Sequence, residues 1–412
     1  MPHTFHSLDD IVGNGFCIGC GLCRALAPAA AIEMREASNG HLRPHPARPL
    51  EPIEEAAILA HCPGINVTGP FGGGGDLDPV WGRVRRVVRG HAADPDIRFR
   101  AASGGLMTGV SQFLLGSGRV AGVLQVAADP ADALASRPVL SRTPQEVLAA
   151  AGSRYGTAAS LATLLDVLAL GRPIAVAMKP CDIAAVRNLQ RHDARARALI
   201  VFTMAMFCGT GPSLAASDEF LARRGLSRAE IAEFRWRGHG CPGPTYARTP
   251  DGRAFTGAYE EFWVDHPWTT QFRCKICPDA IGLQADLAVG DAWPGGWPKG
   301  EDEGFNLAVA QTEIGAEVLA AAQAAGDLVL EASDVAALTD CQPHHVDLRR
   351  LLAARLAAAR LAGLPEPNFS DLGLEAAAAG VDPDRLGANF AGTLKRLRAG
   401  HGDEPATADY AG

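Results

Sequence analysis

The sequence predicts an α+β/α/β chain, with a small cysteine-bearing N-terminal module followed by a larger α/β unit built on a mixed sheet. Three observations carry this expectation. Cysteines crowd the segment from Cys17 to Cys62, strand-like apolar runs alternate with helical patterns through the middle of the chain, and a glycine- and proline-rich joint, NVTGPFGGGGDLDPVWG, separates the two regions. The 412 residues, 47% hydrophobic and 20% charged, suffice for two or three domains. The boundaries fall at 1–75 for the module and its joint, 80–170 and 171–370 for the two parts of the α/β unit, and 371–412 for a helical tail.

Charge and hydropathy exclude several classes of function. A net charge of −8, with arginines scattered apart from Arg83, Arg85, Arg86 and Arg89, argues against nucleic acid as a partner. That short basic run reads as a solvated face, although it would also attract an acidic electron carrier. The opening MPHTFHSLDDIVGNG has acidic side chains and no apolar core, so no export signal is expected and the chain is placed in the cytoplasm. The longest apolar stretch, Ala198 to Phe207, is about half of the roughly 20 residues a membrane span needs, and it reads as a buried strand.

Ten cysteines in a chain without an export signal are not a disulfide framework, so their spacing is read for metal or redox chemistry. Cys17, Cys20 and Cys23 form C-x-x-C-x-x-C, and Gly19 and Gly21 let the backbone fold closely enough for amides to point at sulfur. This is the opening of a ferredoxin-type cluster loop. The usual run continues to Cys-Pro, but Ala27-Pro28 stands there, and the nearest substitute for the fourth ligand is Cys62 in His61-Cys62-Pro63-Gly64. Between them AIEMREASNGHLRP has a strand pattern. A zinc knuckle is the rival reading, but three cysteines at this compact spacing favour a cubane. The four glycines of the joint are read as a linker rather than a phosphate loop, because no Walker or GxGxxG pattern surrounds them.

In the α/β unit, Ser103-Gly104-Gly105 leads into the helical pattern LMTGVSQFLLGSG, with Ser103 expected at the N-cap. Two readings stand equally there, an anion on the free amides and an ordinary cap. Gly152-Ser153-Arg154-Tyr155-Gly156-Thr157 opens the pattern SLATLLDVLAL and offers a hydroxyl, a guanidinium fork and an aromatic face. Here too a pyrophosphate grip and a plain capped helix with a snorkelling arginine weigh alike. Ile174–Met178 and Leu199–Phe207, separated by CDIAAVRNLQR, form a βαβ unit with parallel strands. Lys179-Pro180-Cys181 and Cys208-Gly209 therefore lie at the carboxyl edge of the sheet, where open α/β sheets bind ligands. Together with Cys274 and Cys277 of CKIC, Cys181 and Cys208 complete a second set of four thiolates, which Arg273 and Lys275 would help keep ionised. Cys341 is left as a structural or free thiol and Cys241 as a substitute ligand.

The segments FRAASGGLMTGV, AGSRYGTAAS, KPCDIAAVRNL, FCGTGPS, CKICPDAIGLQADLAVGDAW and EGFNLAVAQTEIGAEVL, in this order, resemble the signature segments of the coenzyme F(420) hydrogenase/dehydrogenase beta-subunit family. The resemblance runs from about Cys17 to about Phe369. The added ferredoxin-like N-terminus resembles the branch containing 7-hydroxymethyl chlorophyll a reductase and ferredoxin-dependent divinyl chlorophyllide 8-vinyl reductase.

This resemblance implies a flavin-binding α/β domain holding FAD near Ser103, Gly104, Gly105, Ser153, Arg154 and Tyr155. It implies one 4Fe-4S cluster on Cys17, Cys20, Cys23 and Cys62, exposed as the point where electrons enter. A second would sit on Cys181, Cys208, Cys274 and Cys277 near the flavin. Lys179, where relatives carry a small residue, and Asp291 in LAVGDAW are the weak candidates for a catalytic role. The implied partners are a ferredoxin or similar donor and a small conjugated organic substrate, in a hetero-complex or homo-oligomer. His344 and His345 are read as loop residues, and the segments GLEAAAAG and HGDEPATADYAG carry no functional expectation.

Overall fold

The structure, a computed structural model, describes residues 4–69, 77–156, 158–264 and 269–404. The glycine run expected to be a linker, Gly72 to Gly75, lies outside the described residues, as does Thr157.

Runs of β-branched and small apolar side chains build the centre. Ile174–Met178 and Asn306–Ala310 are buried at every position, which is the pattern of strands covered on both faces. They belong to an eight-stranded mixed sheet in the order Leu328–Ser333, Arg86–Ala92, Asn306–Ala310, Leu287–Asp291, Ile200–Met206, Ile174–Met178, Gly122–Asp129, Asp132–Ser141. The four neighbours Leu287–Asp291, Ile200–Met206, Ile174–Met178 and Gly122–Asp129 run parallel, and the remaining pairings are antiparallel. The expected βαβ unit is present, its crossover made of the helices Pro180–His192 and Ala194–Leu199. Lys179, Cys208 and Asp291 thus follow or end parallel strands at one edge of the sheet.

Helices cover both faces. Leu106–Gly116 and Glu313–Ala324 pack on one side through Leu106, Val110, Val318 and Leu319. On the other, Ile183, Val186 and Leu189 of Pro180–His192 meet Val176 and Met178, and Ile18, Cys20 and Leu22 of the N-terminal segment join the same core. The N-terminal residues also supply a two-stranded antiparallel hairpin, Ile32–Glu36 with Leu42–Pro46, and the helix Pro52–His61. A separate three-stranded antiparallel sheet, Glu233–Arg235, Thr245–Arg248 and Ala254–Gly257, packs Phe234, Trp236 and Ala247 against Phe220 and Phe262.

Three local expectations are corrected. The N-cap of Leu106–Gly116 is Gly105 at φ 76°, not Ser103; Asn306 accepts a bond from the Leu106 amide, leaving the Ser103 hydroxyl to donate to the Phe305 carbonyl at 2.6 Å. The helix expected from SLATLLDVLAL is confined to Leu164–Ala169, because the backbone before it turns to bind the N-terminal loop. His344 and His345 lie in the helix Pro343–Arg350 rather than a loop, with His345 buried against Phe207.

Candidate functional site

The N-terminal cysteines are brought together by two short helices. Gly21, at φ 75°, is the N-cap of Leu22–Leu26; a side chain there would meet the Ala159 Cβ at 2.9 Å, so glycine is needed both for the turn and for the contact. Cys62 is the C-cap of Pro52–His61, which delivers it across the hairpin to the loop that lacks a fourth cysteine. Cys17, Cys20, Cys23 and Cys62 all line one pocket, walled otherwise by Leu8, Ile11, Leu22 and Ile58. The Gly19 amide donates to the Cys17 sulfur at 3.4 Å. Burial, and then the neighbouring Cys17, push the Cys62 thiol up to about 12, while the Gly64 and Ile65 amides and Arg273 pull the other way. Burial likewise raises Cys20 well above its ordinary value, with Asp182, Cys62 and Cys23 adding to it. Four crowded thiols supplied with backbone donors suit a cationic cluster that takes their protons' place. Cys17 and Cys20 are nearly fully buried, so this pocket is less exposed than the sequence implied.

The second set gathers at the carboxyl edge of the sheet. Cys181 is in the first turn of Pro180–His192, and the Cys208 amide donates to the Ala280 carbonyl at 2.8 Å. Cys274 lies in the short helix Phe272–Lys275, and the Cys277 amide donates to its carbonyl. Asp279 fixes the following turn by accepting bonds from the amides of Ile281, Gly282 and Leu283. Burial, with Cys274 and Cys277 next, raises the Cys208 thiol, and Cys208 and Cys277 in turn act on Cys181. Burial lifts Cys277 to about 11 against the opposing pull of Arg273. Among the described residues, no three His, Cys, Asp or Glu side chains converge closely enough to hold a single metal ion.

The two sets abut. Buried Arg273, beside Cys274, donates to the carbonyls of Gly64 at 2.6 Å and Pro63 at 2.8 Å, next to Cys62. Phe16, before Cys17, meets Phe272 edge-on at 5.7 Å. The C-terminal segment, silent in the sequence, closes the same junction. Glu404 pairs with fully buried Arg43 at 2.6 Å, Arg43 donates to Gln271, and Gln271 donates to the Cys274 sulfur at 3.6 Å. Lys179 donates to both carboxylate oxygens of Asp182, at 2.7 and 2.6 Å.

The segments implied for FAD meet at a residue that sequence reasoning missed. Arg237, 5% exposed, forms a two-pronged ion pair with Asp291 at 3.0 and 3.1 Å and donates to the Ala102 carbonyl, next to Ser103, at 2.7 Å. It also donates to the Tyr155 hydroxyl at 3.4 Å. Burial works against its charge but Asp291, with Tyr155 and Tyr259, overrides it and holds the guanidinium firmly protonated. Aromatic rings surround this pair: Tyr155 against Trp263 at 4.4 Å, Arg237 over Trp293 at 4.7 Å, and Tyr259 against both Trp293 and Trp297. Gly104 is wedged between the Gly90 carbonyl and Asn306, where any Cβ would come within 3 Å. Ser153 is half-buried, outside any helix or strand. Arg154 spends its fork inside the protein, donating to Ser136 and to the carbonyls of Ala133 and Ala135 at 2.7–2.8 Å. Cys241 belongs to neither set; it is buried with Tyr259 and Trp293 and faces Asp291 and Asp302. Cys341 packs in the core with Trp81 and Leu338.

The family models described as coenzyme F420 hydrogenase/dehydrogenase beta subunit match this chain, the N-terminal one over residues 87–166 and the C-terminal one over 171–335. Together they span more than half of it. The chain belongs to this family. Similar members are the coenzyme F420 hydrogenase subunits beta of Methanosarcina barkeri, 24% identical over 60% of this chain and 82% of its own length, and of Methanococcus voltae, 26% identical over 53% and 76%. The chloroplastic 7-hydroxymethyl chlorophyll a reductase of Oryza sativa subsp. japonica is 32% identical over 118 residues, 28% of this chain and 24% of that protein. A chain of the F420-reducing NiFe hydrogenase complex from Methanosarcina barkeri shares the fold, with a TM-score of 0.53 at 20% identity, covering 68% of this chain and 96% of that one. The second set, Cys181, Cys208, Cys274 and Cys277, falls within the matched C-terminal region, whereas Cys17 to Cys62 precede the matched residues. Among the described residues no helix is long and apolar enough to cross a membrane.

Proposed function

We propose that this member of the beta-subunit family is an oxidoreductase that takes electrons from a ferredoxin-type donor and delivers them to a conjugated organic acceptor, using two 4Fe-4S clusters and FAD. The observation that carries the reading is the gathering of Cys17, Cys20, Cys23 and Cys62 around one pocket, against the junction with Cys181, Cys208, Cys274 and Cys277. When bound, cubanes of this kind exchange single electrons and a flavin pairs two of them as a hydride equivalent.

The chain's own residues do the rest. The cysteines hold the metal sites as thiolates, and the Gly19, Gly64 and Ile65 amides and Arg273 stabilise the negative charge gathered on sulfur. Arg237 and Asp291, with Tyr155, Trp263 and Trp293 around them, form a rigid polar centre in an aromatic wall, suited to orienting a flat conjugated ring system. The segments of Ser103, Gly104 and Gly105 and of Ser153 and Tyr155, drawn together by Arg237, would border the FAD.

A second reading, either an electron-transfer beta subunit of a larger hydrogenase or dehydrogenase complex or a deazaflavin-coenzyme oxidoreductase, is favoured by the relatives named as hydrogenase subunits. Anaerobic assay separates the two. Turnover of a conjugated acceptor by the purified chain with reduced ferredoxin alone supports the first reading, and activity recovered only with a co-purifying larger subunit supports the second.

A further inference from the structure

Gln271 stands at the start of the short helix Phe272–Lys275, yet its side chain makes no capping bond to that helix. It turns instead to the Cys274 sulfur, to which its Nε2 donates at 3.6 Å. Arg43 decides which way this amide faces. A guanidinium can only donate, so the 3.1 Å bond from Arg43 must end on the Gln271 carbonyl oxygen, and the N–H side is left for the sulfur. Arg43, on the strand Leu42–Pro46, is held in turn by both oxygens of the Glu404 carboxylate, at 2.6 and 3.0 Å. Asn39 donates to the same carboxylate at 3.2 Å. The bond to sulfur is also enclosed. Gln271 is buried, and the loop after Cys208 lies across it: Thr210 donates to Thr270, the Ser213 amide donates to the Thr269 carbonyl, and a Cβ on Gly211 would come within 3.4 Å of Gln271 Nε2 and 3.6 Å of the Cys274 sulfur.

We infer that Gln271 is a positioning residue for the second metal site: its N–H, aimed at the Cys274 sulfur by Arg43 and Glu404, raises the reduction potential of that site. This rests on the two-cluster reading proposed above. Reduction by one electron from the donor of that reading adds negative charge to the ligating sulfurs and moves no proton, and a donor pointed at one of them favours the more negative, reduced form. In the N-terminal set the Gly19 amide reaches Cys17 from the backbone and is fixed by the chain itself. The Gln271 amide belongs to a side chain, and its direction depends on partners from the N-terminal hairpin and the C-terminal segment. The two ends of the chain therefore act together on a site that neither touches.

Potentiometric titration of the anaerobically purified protein, followed by electron paramagnetic resonance, tests this. Gln271→Leu removes the donor and leaves Arg43 paired with Glu404. The potential of the second site should fall by about tenfold in the equilibrium constant, or 59 mV for one electron, while the N-terminal site keeps its parent value. Arg43→Met combined with Glu404→Gln removes both charges and frees the amide to turn. It should lower the second potential in the parent background and lower it no further in the Gln271→Leu background, because the pair acts through Gln271. Equal falls in both backgrounds, or an unmoved second potential in Gln271→Leu with its full iron, overturn the inference and leave the two-cluster reading intact. A parent protein lacking two iron-sulfur signals overturns that reading itself. Should Gln271→Leu lose iron, Gln271→Glu decides the matter, since it keeps an acceptor for Arg43 but offers no N–H: a lowered second potential supports the inference, and an unmoved one refutes it.

Discussion

Cys62 carries the least conventional part of the proposed ligand assignment, since it would replace a cysteine absent at Ala27, a buried position at the end of Leu22–Leu26. Cys62→Ala should remove about half of the iron, all from the N-terminal site, whereas Cys241→Ala should keep the parent iron content, because Cys241 faces Asp291 and Trp293 instead of either set. Iron determination on both variants checks this, and iron lost from Cys241→Ala would redraw the ligand sets. The two arginines near the proposed flavin, Arg154 half-buried and Arg237 buried, differ in the same way. Arg154→Ala strands the Ala133 and Ala135 carbonyls and should lower unfolding stability by about 2–4 kcal/mol in a denaturant titration. Arg237→Gln should instead weaken FAD retention, read by flavin fluorescence in the filtrate, because Arg237 ties Ala102, Tyr155 and Asp291 together. His41 supplies a pH test. Burial, and then Arg43, hold its pKa down to about 4 from 6.5. Above pH 6.5 the ring is neutral in folded and unfolded chains and contributes nothing. As pH falls from 6.5 to about 4 the unfolded chain takes up a proton the folded one refuses, so stability drops by at most about 1.4 kcal/mol per pH unit. His41→Leu should lose that component of the slope in urea melts across the same window.

At the scale of elements, the N-terminal segment is part of the main core rather than a tethered bead. Leu22 is buried with Val176, Met178 and Ile183, so Leu22→Ala should cost roughly 2–5 kcal/mol and shift a single cooperative transition. Two separate transitions in calorimetry would show an independently folding module. The C-terminal segment has a matching role: Glu404→Gln leaves Arg43 without its carboxylate in a fully buried place and should destabilise the protein by about 3–5 kcal/mol. These elements also mark what the sequence could convey. The Ile174–Met178 strand and the strand before Cys208 were legible because both faces are covered, which forces unbroken apolar runs. The gathering of Cys17, Cys20, Cys23 and Cys62 was legible from spacing, and the placement of Cys181 and Cys208 from the sheet edge at which the βαβ unit ends its strands. Arg237 was not, because its partners Ala102, Tyr155 and Asp291 come from three distant segments and no local pattern encodes them. Ser103 misled as a cap because Asn306, from another strand, took the helix amide. The Arg43–Glu404 pair joins opposite ends of the chain, a distance over which sequence patterns say nothing.

At the scale of the molecule, the mixed sheet places Cys181, Cys208 and Asp291 along one edge, where Arg237 joins Asp291, and the N-terminal pocket seals against that edge through Arg273, Phe272 and Asp182. A donor docking near Cys23 and an acceptor near the Tyr155–Trp263 wall would then be served by one continuous interior. The most direct test of the whole arrangement is the metal, sulfide and flavin content of anaerobically purified protein. Two Cys₄ sites predict about eight iron and eight sulfide with one FAD per chain, and a brown protein whose visible absorption bleaches on reduction. About four iron, or zinc in place of iron in a colourless protein, would contradict it.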